Sequence, residues 1–374
     1  MPVIWLDRHL HKNGGSTVRE VMLRNEEAGN CVYWGWAQTR EGWDGVLRVL
    51  NGIDGSEVRL PSLCIEAHAS SASAIFVSKH LPQLSKLRGR FRRLGLKIPI
   101  VLTTRVREPL SYYLSFYRWR IAGMQRHGNR IGLGGGREVV NPIGTSFLEW
   151  SPHNLQSVGL LHGDVELFSG LKQGGFPGVR ALGRRPHPYW VQHHHFNREH
   201  YTQLLAALAQ FDVVAPLEHF DLALLCTAEL TGLPALQLEE DRAIVPEAHG
   251  IPPGTNLSNA AICPDMAACR AHVHRIAPWD VRLYRRVRRQ FEETVKGLEP
   301  PADERLTVYR RARRRGMGVC LPGSSLPCCC TPRPKCFNHT LRERRWLVPA
   351  SCVPGALDLQ RAVAADMRGT CCTK

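Results

Sequence analysis

No run of about 18 apolar residues occurs in this 374-residue chain, so hydropathy offers no membrane-spanning helix. Acidic residues are scarce. There are 33 Asp and Glu against 49 Lys and Arg, a formal net charge of +16. A charge of that sign favours polyanionic partners: nucleic acid, an anionic membrane or an acidic polysaccharide. No pair of Cys-x-x-Cys units has zinc-ribbon spacing, which argues against a zinc module. Zinc-finger, RRM-like and basic-zipper patterns are also lacking, and with them the usual nucleic-acid readers. There is no internal repeat, hence no solenoid, and no G-x-x-x-x-G-K-[ST] loop.

The chain does have enough apolar residues, 43 %, to bury a large core. Its basic excess is uneven. Residues 301–374 hold 14 Lys and Arg against 5 Asp and Glu, a net of +9, which leaves +7 for the first 300. The same tail holds 8 of the 13 cysteines, including Cys328-Cys329-Cys330 and Cys371-Cys372. Without zinc spacing these read as disulfides, palmitoylation sites or passive thiols, and an oxidising compartment is preferred. The sequons at Asn256 and Asn338 agree with that compartment.

Periodicity predicts strands at 3–9, 58–65, 98–104, 164–168 and 211–215. It predicts helices at 16–25, from Pro109 to about 122, at 197–210, at 219–231 and from Pro278 to 295. Residues 127–145, with Gly134-Gly135-Gly136, and residues 170–192 read as loops, and periodicity fades after Pro300. Strands alternating with helices predict an α/β fold with a parallel sheet flanked by helices, followed by an irregular, basic, cysteine-rich tail.

Two stretches carry anion chemistry. The first, HLHKNGGSTV from His9 to Val18, joins the first strand to the first helix. Gly14 and Gly15 permit close backbone approach, and Ser16 and Thr17 can cap the helix and donate to an anion. Lys12 adds a mobile cation, and the helix start itself favours negative charge. A capped helix after a tight turn would give the same letters. The second stretch is Leu102 to Trp119, LTTRVREPLSYYLSFYRW. Arg107 lies at a strand's carboxyl end and Ser115 follows eight residues later, two helical turns on. Together they can bind a second phosphate, and two such sites suit a nucleotide phosphorylated at both ends.

With those motifs the chain resembles the carbohydrate O-sulfotransferases of the Golgi heparan type, which use 3′-phosphoadenosine 5′-phosphosulfate. That family reads roughly His-Ile-Pro-Lys-Thr-Gly-Gly-Thr where this chain has His9-Leu-His-Lys-Asn-Gly-Gly-Ser16. It reads Arg-Asp-Pro, then a serine eight residues after the arginine, where this chain has Arg107-Glu108-Pro109 and Ser115. Residues 153–163 are similar to its Asn-x-Gln segment, 211–225 to its Val-Gly-x-x-Glu-x-Phe-Asp segment, and 278–293 to its final helix. The order agrees, over about residues 3–298. His11, Asn13 and Glu108 depart from the pattern; Lys12, Arg107 and Ser115 keep it.

The resemblance implies a P-loop-like sulfotransferase domain over 1–299 and an extension over 300–374. It implies that Lys12, Asn13, Gly14, Gly15, Ser16 and Thr17 hold the donor's 5′-phosphosulfate, and Arg107 and Ser115 its 3′-phosphate, with no metal required. The acceptor is then a glycan hydroxyl on an acidic or neutral polysaccharide, and nucleic acid is not a partner. In LCIEAHASSAS, His68 is the preferred base and Glu66 the alternative, or the group that orients His68. Arg180, Arg184 and Arg185 are candidate acceptor contacts. His193-His194-His195 lacks i, i+4 ligand spacing and is set aside as a metal patch. The family works in the Golgi lumen behind an N-terminal anchor; no leader is visible here, so the expectation is an anchor upstream of this sequence, with a cytoplasmic enzyme as the alternative. Two rival functions stay open: a nucleotide-dependent phosphotransferase, for which no convincing Walker-B segment is found, and a non-catalytic polyanion-binding protein.

Overall fold

The computed structural model describes residues 2–36, 40–53, 61–68, 76–118, 130–132, 138–140, 147–163, 196–233, 258–298 and 301–314. Its centre is a five-stranded parallel sheet, as the alternating pattern predicts. The strands are β1 (Ile4–His9), β2 (Val32–Trp36), β3 (Leu63–His68), β4 (Ile100–Val106) and, after a short antiparallel pair β5 (Arg130–Gly132) and β6 (Glu138–Val140), β7 (Val213–Pro216). They lie in the order β2-β3-β1-β4-β7. β1 therefore sits between β3 and β4, pairing Leu6 with Ile65 on one side and with Leu102 on the other.

Both faces of the sheet are covered, as parallel sheets require. Side chains alternate along each strand. Ile4, Leu6, Ile65 and Leu102 point to one layer, which holds α2 (Arg40–Asn51), α3 (Leu81–Arg93), α4 (Pro109–Phe116), α6 (Leu155–His162), α7 (Arg198–Leu208) and α10 (Met266–Ile276). Trp5, Cys64, Val101 and Val213 point to the other, against Val18, Val21 and Met22 of α1 (Gly15–Glu27), α8 (Phe220–Thr231) and Phe291 of α11 (Pro278–Lys296). The short helices α5 (Phe147–Trp150) and α9 (Asn259–Ile262) complete the body.

The strand bounds differ from the sequence reading. β3 begins at Leu63, after Pro61, so Glu66 and His68 belong to its carboxyl end rather than following it. β4 runs two residues further than expected and includes Arg105. α4 ends at Phe116, and residues 119–129 lie outside the described ones. The predicted strand at 164–168, Arg180, Arg184, Arg185 and His193-His194-His195 lie outside them too. Gly134-Gly135-Gly136 lies outside the described residues as well. Among the described residues Cys31, just before β2, is bridged to Cys64 of β3, and Cys263 to Cys269, while the tail cysteines and the sequons at Asn256 and Asn338 lie outside them. No helix among the described residues is long and apolar enough to cross a membrane.

Regular structure does not stop at Pro300. A further helix, α12 (Ala302–Arg314), packs Ala302 and Leu306 on the α1–α8 layer. Arg305 pairs with Glu229 of α8 at 2.7 Å, and Arg310 lies 3.6 Å from Asp221. Its pattern is hidden because arginines fill the sequence around a narrow apolar edge. A chain ending after Arg314 is expected to melt higher than one ending after Glu299. The difference is roughly 4–8 °C for about 2 kcal/mol of lost packing. Equal melting temperatures would show that α12 adds nothing to the body.

Candidate anion-binding and active site

The loops after β1 and β4 leave neighbouring strands, at the point where the strand order reverses direction. That crevice is where open α/β sheets bind ligands. The geometry of the first loop begins at Lys12, whose φ is +66°, an unusual region for a residue with a side chain. Arg107 Nη1 donates to the Lys12 carbonyl at 3.1 Å, and Arg105 Nε donates to the Asn13 carbonyl at 2.9 Å. Two arginines thus turn these loop carbonyls inward. A trans peptide directs its N–H opposite its C=O, so the N–H of Gly14 faces away from Arg105.

Gly14 is the N-cap of α1, with φ +77°. A Cβ there would lie 2.8 Å from Leu217 Cδ1, so both conformation and space call for glycine. A Cβ on Gly15 would lie 2.0 Å from His9 Nε2. The double glycine therefore lets the loop settle onto the His9 ring. Ser16 and Thr17 were expected to cap α1, but the helix already starts at Gly15 and has no side-chain cap. Both hydroxyls stand in its first turn, where no acidic residue competes for the dipole. Asn13 also departs from expectation. Its side chain is fully buried and donates inward, to the Arg105 carbonyl and to Gln156 Oε1, each at 3.0 Å. Only its backbone faces the loop's role.

Three cations converge here. Burial, reinforced by Arg107 and Arg118, lowers the Lys12 ammonium to about 8. Burial lowers Arg107 as well, partly countered by Glu218, and lowers Arg118. Like charges held together and partly dehydrated form a site that an anion stabilises. Arg107 directly follows β4, as expected, and Ser115 is buried on α4 two turns further on. Glu108 caps α4, accepting from Ser111 N at 2.7 Å, while its other oxygen accepts from Arg270 at 2.8 Å. The longer side chain in place of aspartate thus serves two partners.

Beneath the loop runs a buried charge network that the sequence did not disclose. Asp7 is held by both terminal nitrogens of Arg105, at 2.7 and 2.6 Å, and by the Thr103 hydroxyl at 2.6 Å. Burial pushes the Asp7 carboxyl up, but Arg105 and His9 outweigh it and hold it well below the usual range. His9 Nδ1 is 3.0 Å from Asp7, and its Nε2 is 3.3 Å from Glu66. Glu66 has no exposed surface; it accepts two hydrogen bonds from Arg19, at 2.8 and 2.7 Å, and one from the Tyr33 hydroxyl at 2.6 Å. Its oxygens are committed inside the protein, which makes it a support for the end of β3 rather than an accessible base. His68, the last residue of β3, lies in register with His9.

Comparison of the chain with family models, with curated proteins and with solved structures finds no match.

Proposed function

We propose that the crevice binds 3′-phosphoadenosine 5′-phosphosulfate and that the protein transfers its sulfuryl group to a glycan hydroxyl. The observation that carries this reading is the placing of two cationic loops, with Lys12 and Arg107, at the carboxyl ends of adjacent strands beside an uncapped helix start. In this reading the sheet serves as a P-loop-like platform. Lys12 and the first turn of α1 hold the 5′-phosphosulfate, and Arg107 with Ser115 holds the 3′-phosphate.

Sulfuryl transfer makes demands like those of phosphoryl transfer: in-line positioning and stabilisation of charge on the leaving oxygen. The donor supplies the sulfuryl group and departs as adenosine 3′,5′-bisphosphate. Lys12 neutralises the charge gathering on the leaving phosphate. His68 takes the acceptor's proton as the acceptor oxygen bonds to sulfur. Asp7 and Glu66, the buried carboxylates nearest the loop, are already paired with Arg105 and Arg19. The two disulfides and the proposed chemistry together suit the Golgi lumen.

Incubation with donor carrying labelled sulfate and a panel of acidic and neutral polysaccharides tests the reading. Label should pass to a polysaccharide without added divalent cation. Transfer from ATP with Mg²⁺, and none from the sulfate donor, would establish the phosphotransferase instead; salt-dependent glycan binding with no transfer of either kind would establish a binding protein.

The lowered Lys12 ammonium adds a pH signature. A bound anion draws its proton affinity back up, so binding near pH 8 takes up a proton. Affinity for adenosine 3′,5′-bisphosphate should weaken as pH rises above about 8, by up to about tenfold per pH unit. In Lys12→Arg the guanidinium stays charged and the slope should flatten. A titration that is level across this range in the parent would remove Lys12 from the anion site.

A further inference from the structure

Gln156 belongs to neither anion loop, yet its side chain hydrogen-bonds to both, beside the direct bonds that Arg105, Arg107 and Asn13 make between them. It is fully buried at the start of α6. Its Oε1 accepts from the Arg107 backbone N–H at 2.7 Å and from Asn13 Nδ2 at 3.0 Å. Its Nε2 donates to the Arg107 carbonyl at 2.9 Å. The amide pairs with the Arg107 peptide as a neighbouring strand would, and uses its second lone pair on the other loop. An amide head combines that acceptor and donor; a carboxylate or a hydroxyl does not offer the same set.

The strut is itself braced. Asp280 of α11, also fully buried, accepts from Gln156 N at 3.0 Å and from Ser157 N at 2.7 Å. Asn154, with φ +48°, accepts from Trp279 N at 3.0 Å. The Tyr113 hydroxyl of α4 donates to the Pro152 carbonyl and accepts from Leu155 N. So the backbone that carries Gln156 is pinned by both α11 and α4.

We propose that Gln156 is a positioning residue that fixes the spacing of the two anion loops, and so makes the 3′-phosphate a determinant of nucleotide recognition. This rests on the reading of the site as one for a nucleotide phosphorylated at both ends. A ligand that bridges two loops gains fully from the second contact only if the loops already stand at its span. If they drift, the ligand must order them and the second phosphate yields less. A ligand held by the first loop alone does not meet that cost.

The test compares adenosine 3′,5′-bisphosphate with adenosine 5′-phosphate by calorimetry, using the full chain. In the parent the bisphosphate should bind more tightly. Gln156→Met fills the same space without hydrogen bonds. It should reduce that preference by about tenfold, the worth of one to two buried hydrogen bonds, while affinity for the 5′-phosphate changes by less than about threefold. Should Gln156→Met fail to fold, Gln156→Asn keeps the amide but is one methylene short of bridging, and the same loss of preference is expected. Combining Gln156→Met with Asn13→Ala should cost less than the two effects added, because both cut one bridge. A parent with no preference for the bisphosphate overturns the donor reading, and this inference with it. A parental preference that survives in the Gln156 variants, or an equal weakening of both nucleotides, overturns the inference alone.

Discussion

Lys12→Gly is expected to fold at least as well as the parent and to transfer about 10²- to 10³-fold more slowly. The two halves of that expectation come from the same residue. Lys12 sits at φ +66°, a conformation that costs a residue with a Cβ roughly 1–2 kcal/mol and glycine almost nothing. Its ammonium is also partly dehydrated beside Arg107 and Arg118. Removing the side chain relieves both, against the roughly 0.5–1 kcal/mol that glycine's freedom costs on folding. Melting temperature should therefore stay level or rise. Turnover should fall, because the loop's one lysine, placed to neutralise the leaving phosphate, is gone. Strain kept at a functional residue and relieved by an inactive substitution is the expected trade of stability for activity. Lys12→Ala, which loses the charge but keeps the backbone strain, should be equally slow and less stable than Lys12→Gly. Transfer within about threefold of the parent in either variant, under ~1 kcal/mol of barrier, would remove Lys12 from the chemistry.

The sequence disclosed this loop because its function needs letters that have few other uses. Two glycines, a lysine and the residues after a strand make a local pattern, and Arg107-Glu108-Pro109 makes another. What holds the loops is not local. Asp7 and Arg105 are 98 residues apart, Asn13 and Gln156 are 143 apart, and Gln156 and Asp280 are 124 apart. Nothing in their spacing announces a pair. Residues 3–9 read as a buried strand and are one, but IWLDRH ends in three ionisable residues whose burial needs partners that no local pattern names. Burial there depends on Arg105 and Glu66 arriving from the neighbouring strands, which only the strand order determines.

Other elements were legible but not used. Leu81, Leu84, Leu87 and Phe91 recur at helical spacing and form the buried face of α3. Trp43, Val46, Leu47 and Leu50 do the same for α2. In β2 the signal is weaker, because Gly35 interrupts the run from Val32 to Trp36 and the pairing shifts register between Tyr33 and Gly35. Cys31 and Cys64 stand 33 residues apart with nothing local to pair them, and the sheet brings them together as neighbours.

His68→Ala is expected to leave affinity for adenosine 3′,5′-bisphosphate nearly unchanged and to lower the transfer rate by about 10²- to 10⁴-fold. A general base acts only as the acceptor proton moves, so its loss appears in kcat. Glu66→Gln supplies the contrast, and its surroundings sharpen it. The Glu66 carboxylate is enclosed by Arg19, Tyr33 and His9. An amide keeps its shape but removes the charge facing Arg19 and one of the acceptors. The expected loss is therefore in stability, on the order of 1–3 kcal/mol, with a smaller loss of rate. The Arg19 side chain is 31 % exposed, so water partly makes up for the missing charge and the loss should lie toward the lower end. Full rate in His68→Ala, together with a dead Glu66→Gln of unchanged melting temperature, would make Glu66 the base, and the buried network would then have to open for the acceptor to reach it.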